Sequence, residues 1–438
     1  MCRRKGGSKS ACLGARLANK NENSRRGLLA KLGPGLITGA ADDDPSGIGT
    51  YSQVGAEFGY GLSWSLLFCL PFMTVIQDVA AQIGSVTGRG IAANLRRHYA
   101  RPLLWSAVTL LLFANVINLG ADLSAMGAVM QMLIGGEVVA YTIGFGLICL
   151  LLEIFLNYRQ YAAVLKFTTL SLFAYVAVVL TVHLPWGEAL RGVFIPHVEG
   201  STAFATGFVA ILGTTISPYL FFWQAAQEIE EEKRSHAKPL YVAPGRAGPE
   251  MARIRQDTLV GMVFSNLVAL FIVFAAAATL HANGVTTIET ASQAAEALRP
   301  VAGRFAFLLF ALGIIGTGML AVPVLAGSAA YAVAEMLGRP ASLDSKPLNA
   351  RLFYGTIAAT TLAGALLQSV GVNPVRALYW SAVINGVLAA PLMALMMLIV
   401  TNPRAMGHLT LGRRGAILGW AATAVMAAAT LLFFVSLL

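Results

Sequence analysis

The sequence predicts an all-α polytopic membrane protein of about 11 transmembrane helices, and three observations carry that reading. Of 438 residues, 57% are hydrophobic and only 12% are charged, about half the roughly 25% typical of soluble domains. The mean hydropathy is +0.69. The apolar residues are gathered into long runs divided by polar punctuation, and a helix needs about 20 apolar residues to cross hydrocarbon.

The runs place spans at 34–56, 62–85, 103–134, 138–156, 160–184, 203–226, 257–282, 302–335, 352–370, 375–400 and 415–437. The third and eighth are long enough to tilt or to project beyond the bilayer. Residues 33–438 therefore read as one membrane domain, preceded by a basic tail over 1–32.

The formal charge is +10, and its distribution separates two explanations. Nine Lys/Arg lie in the first 33 residues, before any long apolar run. That makes a basic tail rather than a secretory signal, which needs an apolar segment and a cleavage site. Positive charge concentrates in cytoplasmic loops. With the N-terminus inside, the tail and the loops after even-numbered spans hold 26 of the 31 Lys/Arg. The facing side has only Arg191, Arg299, Arg304 and Arg376, and Lys166 falls inside a span. An odd number of spans puts the C-terminus outside, and the expected location is a bacterial inner membrane. The basic surplus thus reads as an orientation signal and a contact for anionic lipid, with no nucleic-acid partner. The cysteines Cys2, Cys12, Cys69 and Cys149 have no spacing that indicates a disulfide framework or a zinc site.

Two spans contain what a lipid-facing helix does not tolerate. The first runs from Gly33-Pro34-Gly35 to Asp42-Asp43-Asp44-Pro45-Ser46-Gly47. Three carboxylates in mid-span are costly against lipid. Pro45 removes a backbone donor and clashes with the preceding turn, and Gly47 adds backbone freedom. Together they predict unwinding near Asp44, with carbonyls available to a cation. The sixth span repeats the device in Gly213-Thr214-Thr215-Ile216-Ser217-Pro218-Tyr219. Pro218 deprives the Thr214 carbonyl of its helical donor, and Thr214, Thr215 and Ser217 add hydroxyl oxygens. Irregular backbone at membrane depth is tolerated only where it is buried in protein or lines a cavity. Breaks five spans apart match the inverted-repeat plan, in which the ligand sits at the midplane between discontinuous helices. The plainer readings are a proline kink without a ligand and an Asp cap at the interface; against the second, 34–41 is too short to span.

At these residues the chain resembles the NRAMP family of divalent metal transporters, over about 400 residues from Gly33 to the C-terminus. That family carries Asp-Pro-Gly-Asn on its first helix and Met-Pro-His on its sixth, with a second His five residues after the first. The segment Gln77-Asp78-Val79-Ala80-Ala81-Gln82-Ile83-Gly84-Ser85-Val86-Thr87-Gly88-Arg89 is similar to the one that ends the family's second helix. The resemblance implies a LeuT-like inverted-repeat architecture with broken helices one and six. It implies a transported divalent cation and no resident cofactor. It also implies a metal set of Asp44, Gly47, Thr214 and Ser217, with Asp42, Asp43, Tyr219, Gln224 and Asn385 around an approach vestibule and Asp122 on a proton path.

The departures from the family carry the chemistry. The family's Asn falls on Gly47, its Met on Ser217 and its carbonyl-donating Ala on Thr214. Its two histidines become Tyr219 and Gln224. On helix three an Asp is matched by Asp122, while a Glu three residues later becomes Ala125, and Asn385 lies near the family's helix-ten Gln but out of register. A thioether favours soft metals, whereas carboxylate, hydroxyl and carbonyl oxygens favour Mg, Ca and Mn. Replacing Asn by glycine gives room for an ion that keeps part of its water, as magnesium does. The pattern therefore resembles the NRAMP-related magnesium transporters. Histidine is the usual proton relay near neutral pH, and His98, His183, His197, His236, His281 and His408 fall at span ends or in loops. Proton coupling is expected to be weak or absent.

The glutamates Glu228, Glu230, Glu231 and Glu232 read as a solvated helix end, Asp257 as a cap or ion pair, and Asp78 and Glu153 either as functional groups or as internal polar pairs. Two further functions compete with this one. A carrier of small organic substrates such as amino acids would share the helix plan, but three aspartates do not suit an α-carboxylate. An intramembrane enzyme would need a catalytic constellation, and none of the usual motifs is present.

Overall fold

The computed structural model describes residues 34–155, 168–343, 345–367 and 371–438. The tail over 1–32, Lys166 and the start of the fifth expected span lie outside the described residues.

The chain forms α1 (Pro34–Asp42), α2 (Pro45–Phe58), α3 (Ser63–Thr87), α4 (Ile91–His98), α5 (Arg101–Ile134), α6 (Val138–Phe155), α7 (Phe173–Thr181), α8 (Trp186–Phe194), α9 (Thr202–Thr215), α10 (Pro218–Arg234), α11 (Ala247–Thr279), α12 (Ala291–Glu296), α13 (Ala306–Leu337), α14 (Arg351–Leu367), α15 (Pro374–Val400) and α16 (Arg413–Ser436). No strand occurs among the described residues. Eight helical segments are long and apolar enough to cross a membrane, α9 and α10 counting as one. The remaining three expected spans are the divided α1/α2, the short α14, and α7, whose lead-in is not described.

The first and sixth expected spans are each two half-helices joined by a short extended step. Asp44 has φ −72° and ψ 171°, and Ser217 has φ −79° and ψ 129°. Both precede a proline at the first turn of the following half-helix. A residue before proline is pushed out of the α region, and proline suits the first helical position, where its missing N–H costs nothing. Pro71, Pro323 and Pro391 lie inside continuous helices, behind Leu70, Val322 and Ala390. Proline alone does not divide a helix here; the two divisions follow an Asp and a Ser, residues suited to capping a new start.

The divided helices are innermost. Of the apolar window across α9 and α10, 94% is buried, against 22% for α6 and 33% for α16. Backbones meet closely around this core: a Cβ on Gly39 of α1 would lie 2.4 Å from the Gly261 carbonyl of α11, and one on Gly213 of α9 would lie 2.0 Å from the Ala382 carbonyl of α15. Small residues at such crossings replace the hydrophobic drive that lipid does not supply. Asp257 on α11 caps α1, accepting from Gly35 N at 2.7 Å. Asp78 takes a hydrogen bond from Gln82 at 2.9 Å and lies 3.9 Å from the Arg255 guanidinium, so it is an internal polar pair.

A bulky side chain at the α9–α15 crossing has to force two backbones apart. Gly213→Val is expected to lower the melting temperature of detergent-solubilised protein by an amount equivalent to about 1–3 kcal/mol or more. Gly187→Ala, on α8 where a Cβ meets nothing within 4 Å, is expected to leave it unchanged or slightly raised. Equal melting of the two variants would show that this crossing is not close-packed.

Candidate metal site

The site forms where α1 stops and α2 begins. Asp44 is the N-cap of α2: its Oδ1 accepts from Gly47 N at 2.7 Å. Its other oxygen, Oδ2, faces Asn118 Nδ2 of α5 at 3.1 Å and the Tyr219 hydroxyl of α10 at 3.2 Å. The same phenol lies 3.0 Å from the Ala41 carbonyl at the end of α1. Asp122, one turn beyond Asn118, accepts from Ser46 N at 3.1 Å through Oδ1, and its Oδ2 has no partner among the described residues. Both carboxylates thus sit at the positive end of the α2 dipole, where negative charge is favoured. Ser46 ties the corner to α15 through the Ser381 hydroxyl at 2.8 Å and the Leu378 carbonyl at 3.0 Å.

Gly47 marks the point where the two breaks face each other. A methyl group placed there would touch the Asp42 carbonyl at 3.2 Å, the Thr214 hydroxyl at 3.2 Å and Asp44 Oδ1 at 3.4 Å. Three oxygens of three kinds therefore surround a space that any side chain would fill. Ser217 lies across the second break; its hydroxyl donates to the Thr214 carbonyl at 2.9 Å or the Gly213 carbonyl at 3.0 Å. The Thr214 carbonyl, deprived of its helical donor by Pro218, is thus partly satisfied by this hydroxyl. Thr215 points elsewhere, to the Ile211 carbonyl and Cys69 of α3.

Asp42 and Asp43 flank the step and are both 1% exposed. They share Ser265 of α11, whose hydroxyl lies 2.7 Å from Asp42 Oδ2 and 3.2 Å from Asp43 Oδ1. Asp42 Oδ1 and Asp43 Oδ2 have no partner among the described residues. Asn385 is buried on α15, beside the glycine that meets Gly213, and takes no part in these hydrogen bonds. Gln224 lies one turn beyond Tyr219, accepts from Thr38 of α1 at 2.5 Å and donates to Glu228 at 3.1 Å.

The glutamate cluster corrects the sequence expectation. Glu228, Glu230 and Glu232 are buried, at 1%, 1% and 8% exposure, where a solvated helix end was expected. Partners distant in sequence make this bearable: Arg253 of α11 meets Glu228 at 2.6 Å, while Tyr331 and Ser342 meet Glu230 at 3.3 and 3.1 Å.

Sequence reasoning missed Asn118, Ser46, Ser265 and Ser381. Asn118 had a signal, because Asn115, Asn118 and Asp122 lie on one helical face of an otherwise apolar span. The serines had none, being ordinary in membrane helices. Among the described residues no three His, Cys, Asp or Glu form a group able to hold a metal. What converges here is a single carboxylate at the Gly47 space with neutral oxygens, a donor set suited to a hard cation that retains water.

Comparisons with known proteins agree with the fold. The profile of the family described as natural resistance-associated macrophage protein-like (Nramp) matches residues 35–436. A Klebsiella pneumoniae protein described as the divalent metal cation transporter MntH is 25% identical over 424 residues, covering 94% of this chain and 95% of its own. A Yersinia pestis protein of the same description is 28% identical over 311 residues, covering 68% and 72%. Among solved structures, an Eremococcus coleocola manganese transporter aligns with a TM-score of 0.73 at 16% identity, over 93% of this chain and 86% of that one. MhsT in complex with L-phenylalanine aligns at 0.61 and 13%, over 92% and 98%. These structural likenesses are of fold, the LeuT-like inverted-repeat one that the two breaks predict.

Ser265 is the only hydrogen-bond donor that the described residues give Asp42 and Asp43. Ser265→Ala is expected to destabilise the detergent-solubilised protein by about 1–3 kcal/mol, the cost of stripping a buried carboxylate of its donor. Unchanged melting would show that the two aspartates are satisfied in another way.

Proposed function

The chain belongs to the Nramp family, and we propose that it is a transporter or facilitator of a divalent cation, Mg2+ or Mn2+, working by alternating access around the two broken spans. The observation that carries this reading is the space at Gly47, bounded by the Asp44 carboxylate, the Asp42 carbonyl and the Thr214 hydroxyl. Relatives described as divalent metal cation transporters and as a manganese transporter support the class of cargo. In this reading Asp44 supplies the charge, Thr214, Ser217 and the Asp42 carbonyl supply neutral oxygens, and Gly47 leaves room for retained water. Asn118 and Tyr219 hold Asp44 in position, while Asp42 and Asp43 lie beside it, buried against Ser265. The N-terminus lies in the cytoplasm.

The absence of a thioether at Ser217 makes the donor set hard. A bound divalent ion has an average of several ligands to complete, and magnesium completes them with water more readily than with protein. Tyr219 stands where the family has a histidine, and a phenol keeps its proton through the neutral range. With no histidine beside Asp44, Asp122 alone remains there as a proton carrier, and cation movement is not obliged to carry protons.

Purified protein in liposomes is expected to take up Mg2+ and Mn2+, with Cd2+ a weak competitor, and Asp44→Ala is expected to lose at least about tenfold of that rate. Normal uptake by Asp44→Ala, or strong displacement of Mg2+ by Cd2+, would overturn the assignment of the site. A pH dye inside the same vesicles is expected to show little acidification during metal uptake. Acidification that tracks the metal gradient would refute uncoupled transport while leaving the cation site in place.

A further inference from the structure

We propose that the cavity between α3, α4, α10 and α13 is a binding site for a phosphate-bearing anion. It is an open cavity of about 520 Å3, and Arg89, Arg96, Arg97, Lys233 and Arg339 line it together with the carboxylates of Glu230 and Glu335. It lies outside the broken-helix site, at the end of the bundle where α4 packs across α13. Five cations face two carboxylates, and the carboxylates are already engaged. Glu335 accepts from Gly90 N and Ala93 N, both at 3.1 Å. Glu230 meets Tyr331, Ser342 and, at 3.7 Å, Lys233. None of the four arginines forms a salt bridge with a described residue. An excess of three positive charges is left around one concave surface.

The arginines are presented by fixed backbone rather than by loose loops. Arg89 N donates to the Thr87 hydroxyl at 3.1 Å, and the buried Asn94 donates to the Arg89 carbonyl at 3.0 Å. Gly338, at φ +66°, leaves just enough room for Arg96: a Cβ there would lie 1.9 Å from its guanidinium. Partial burial and then the neighbouring Arg97 pull the Arg89 guanidinium below its usual pKa, a strain that a bound anion relieves. Guanidinium forks match phosphate oxygens in pairs, and a polyanion offsets the excess where a single carboxylate would leave most of it. A phospholipid headgroup and a soluble phosphorylated molecule both present this group, and the site chemistry is the same for both.

The test uses full-length protein in neutral detergent at fixed ionic strength. Calorimetric titration with inorganic pyrophosphate reads the soluble source, and native mass spectrometry of retained phosphatidylglycerol reads the lipid source. Wild type is compared with R89Q/R96Q/R97Q and with R404Q/R413Q/R414Q, which removes the same charge elsewhere on the chain. Binding of either probe is expected to weaken at least about tenfold in the cavity variant, the worth of one or more charge-assisted hydrogen bonds. The control variant is expected to stay within about twofold of wild type. R96K/R97K, which keeps charge but loses the forks, is expected to fall between, and monodisperse elution at the wild-type position verifies folding of each variant. No binding of either probe by wild type, equal binding by the cavity variant, or an equal loss in the control variant would overturn the proposal.

Discussion

Everything at the centre of this protein depends on satisfying the backbone groups that open where two helices are divided at membrane depth. Water is not there to do it, so protein must. At the first division Asp44 caps Gly47 N and Asp122 caps Ser46 N from another helix. At the second, the Ser217 hydroxyl turns back onto the carbonyls of Gly213 and Thr214. Tyr219 spans the two, one phenol facing both Asp44 and the Ala41 carbonyl near the end of α1. The carboxylates are therefore structural before they are chemical: they hold the extended steps open, and the extended steps hold the carboxylates away from lipid.

The fold was highly legible because its signals are collective. Long apolar runs, and the asymmetric spread of 31 Lys/Arg, each sum over many residues, so helix existence and order survive errors of several residues at the ends. The divisions were legible for a local reason, the pairing of Asp44 with Pro45 and of Ser217 with Pro218. The surroundings of the site were less so. Asn118 reaches Asp44 across 74 positions and Ser265 reaches Asp42 across 223; no local pattern encodes such meetings. The buried glutamates failed for the same reason. Four acids within five residues look solvated until Arg253, Tyr331 and Ser342 arrive from elsewhere in the chain.

Under the proposed assignment, cargo is distinguished by the donor set rather than by the fold. A LeuT-like bundle positions two divided helices and does not specify what they hold, as the alignment with a phenylalanine-bound structure makes plain. Selection belongs to the few atoms around the breaks. Here a glycine, a threonine and a serine occupy positions where the Nramp family places an amide, a carbonyl donor and a thioether. Under that assignment the glycine removes a bulkier ligand and the serine replaces a softer one, while the threonine keeps its backbone carbonyl and adds a hydroxyl, which leaves the space wholly oxygen-lined.

The chain of contacts leaving the site limits how the bundle can move. Thr38 on α1 meets Gln224 on α10, Gln224 meets Glu228, and Glu228 meets Arg253 on α11, which in turn holds Glu250. The side chain of Glu228 is only 2% exposed, its ion pair 2.6 Å long. Separating α10 from α11 at this end while leaving Glu228 in place would strand a buried carboxylate, at a cost on the order of a few kcal/mol. A passage opening here must therefore carry Arg253 with α10 or bring water to Glu228 as the pair parts. Asp257 adds a second tie, since it caps α1 from α11. The halves α1 and α10 are thus joined to each other and to α11 at one end, so that motion at the breaks is communicated to that end through hydrogen bonds and an ion pair rather than through apolar packing alone.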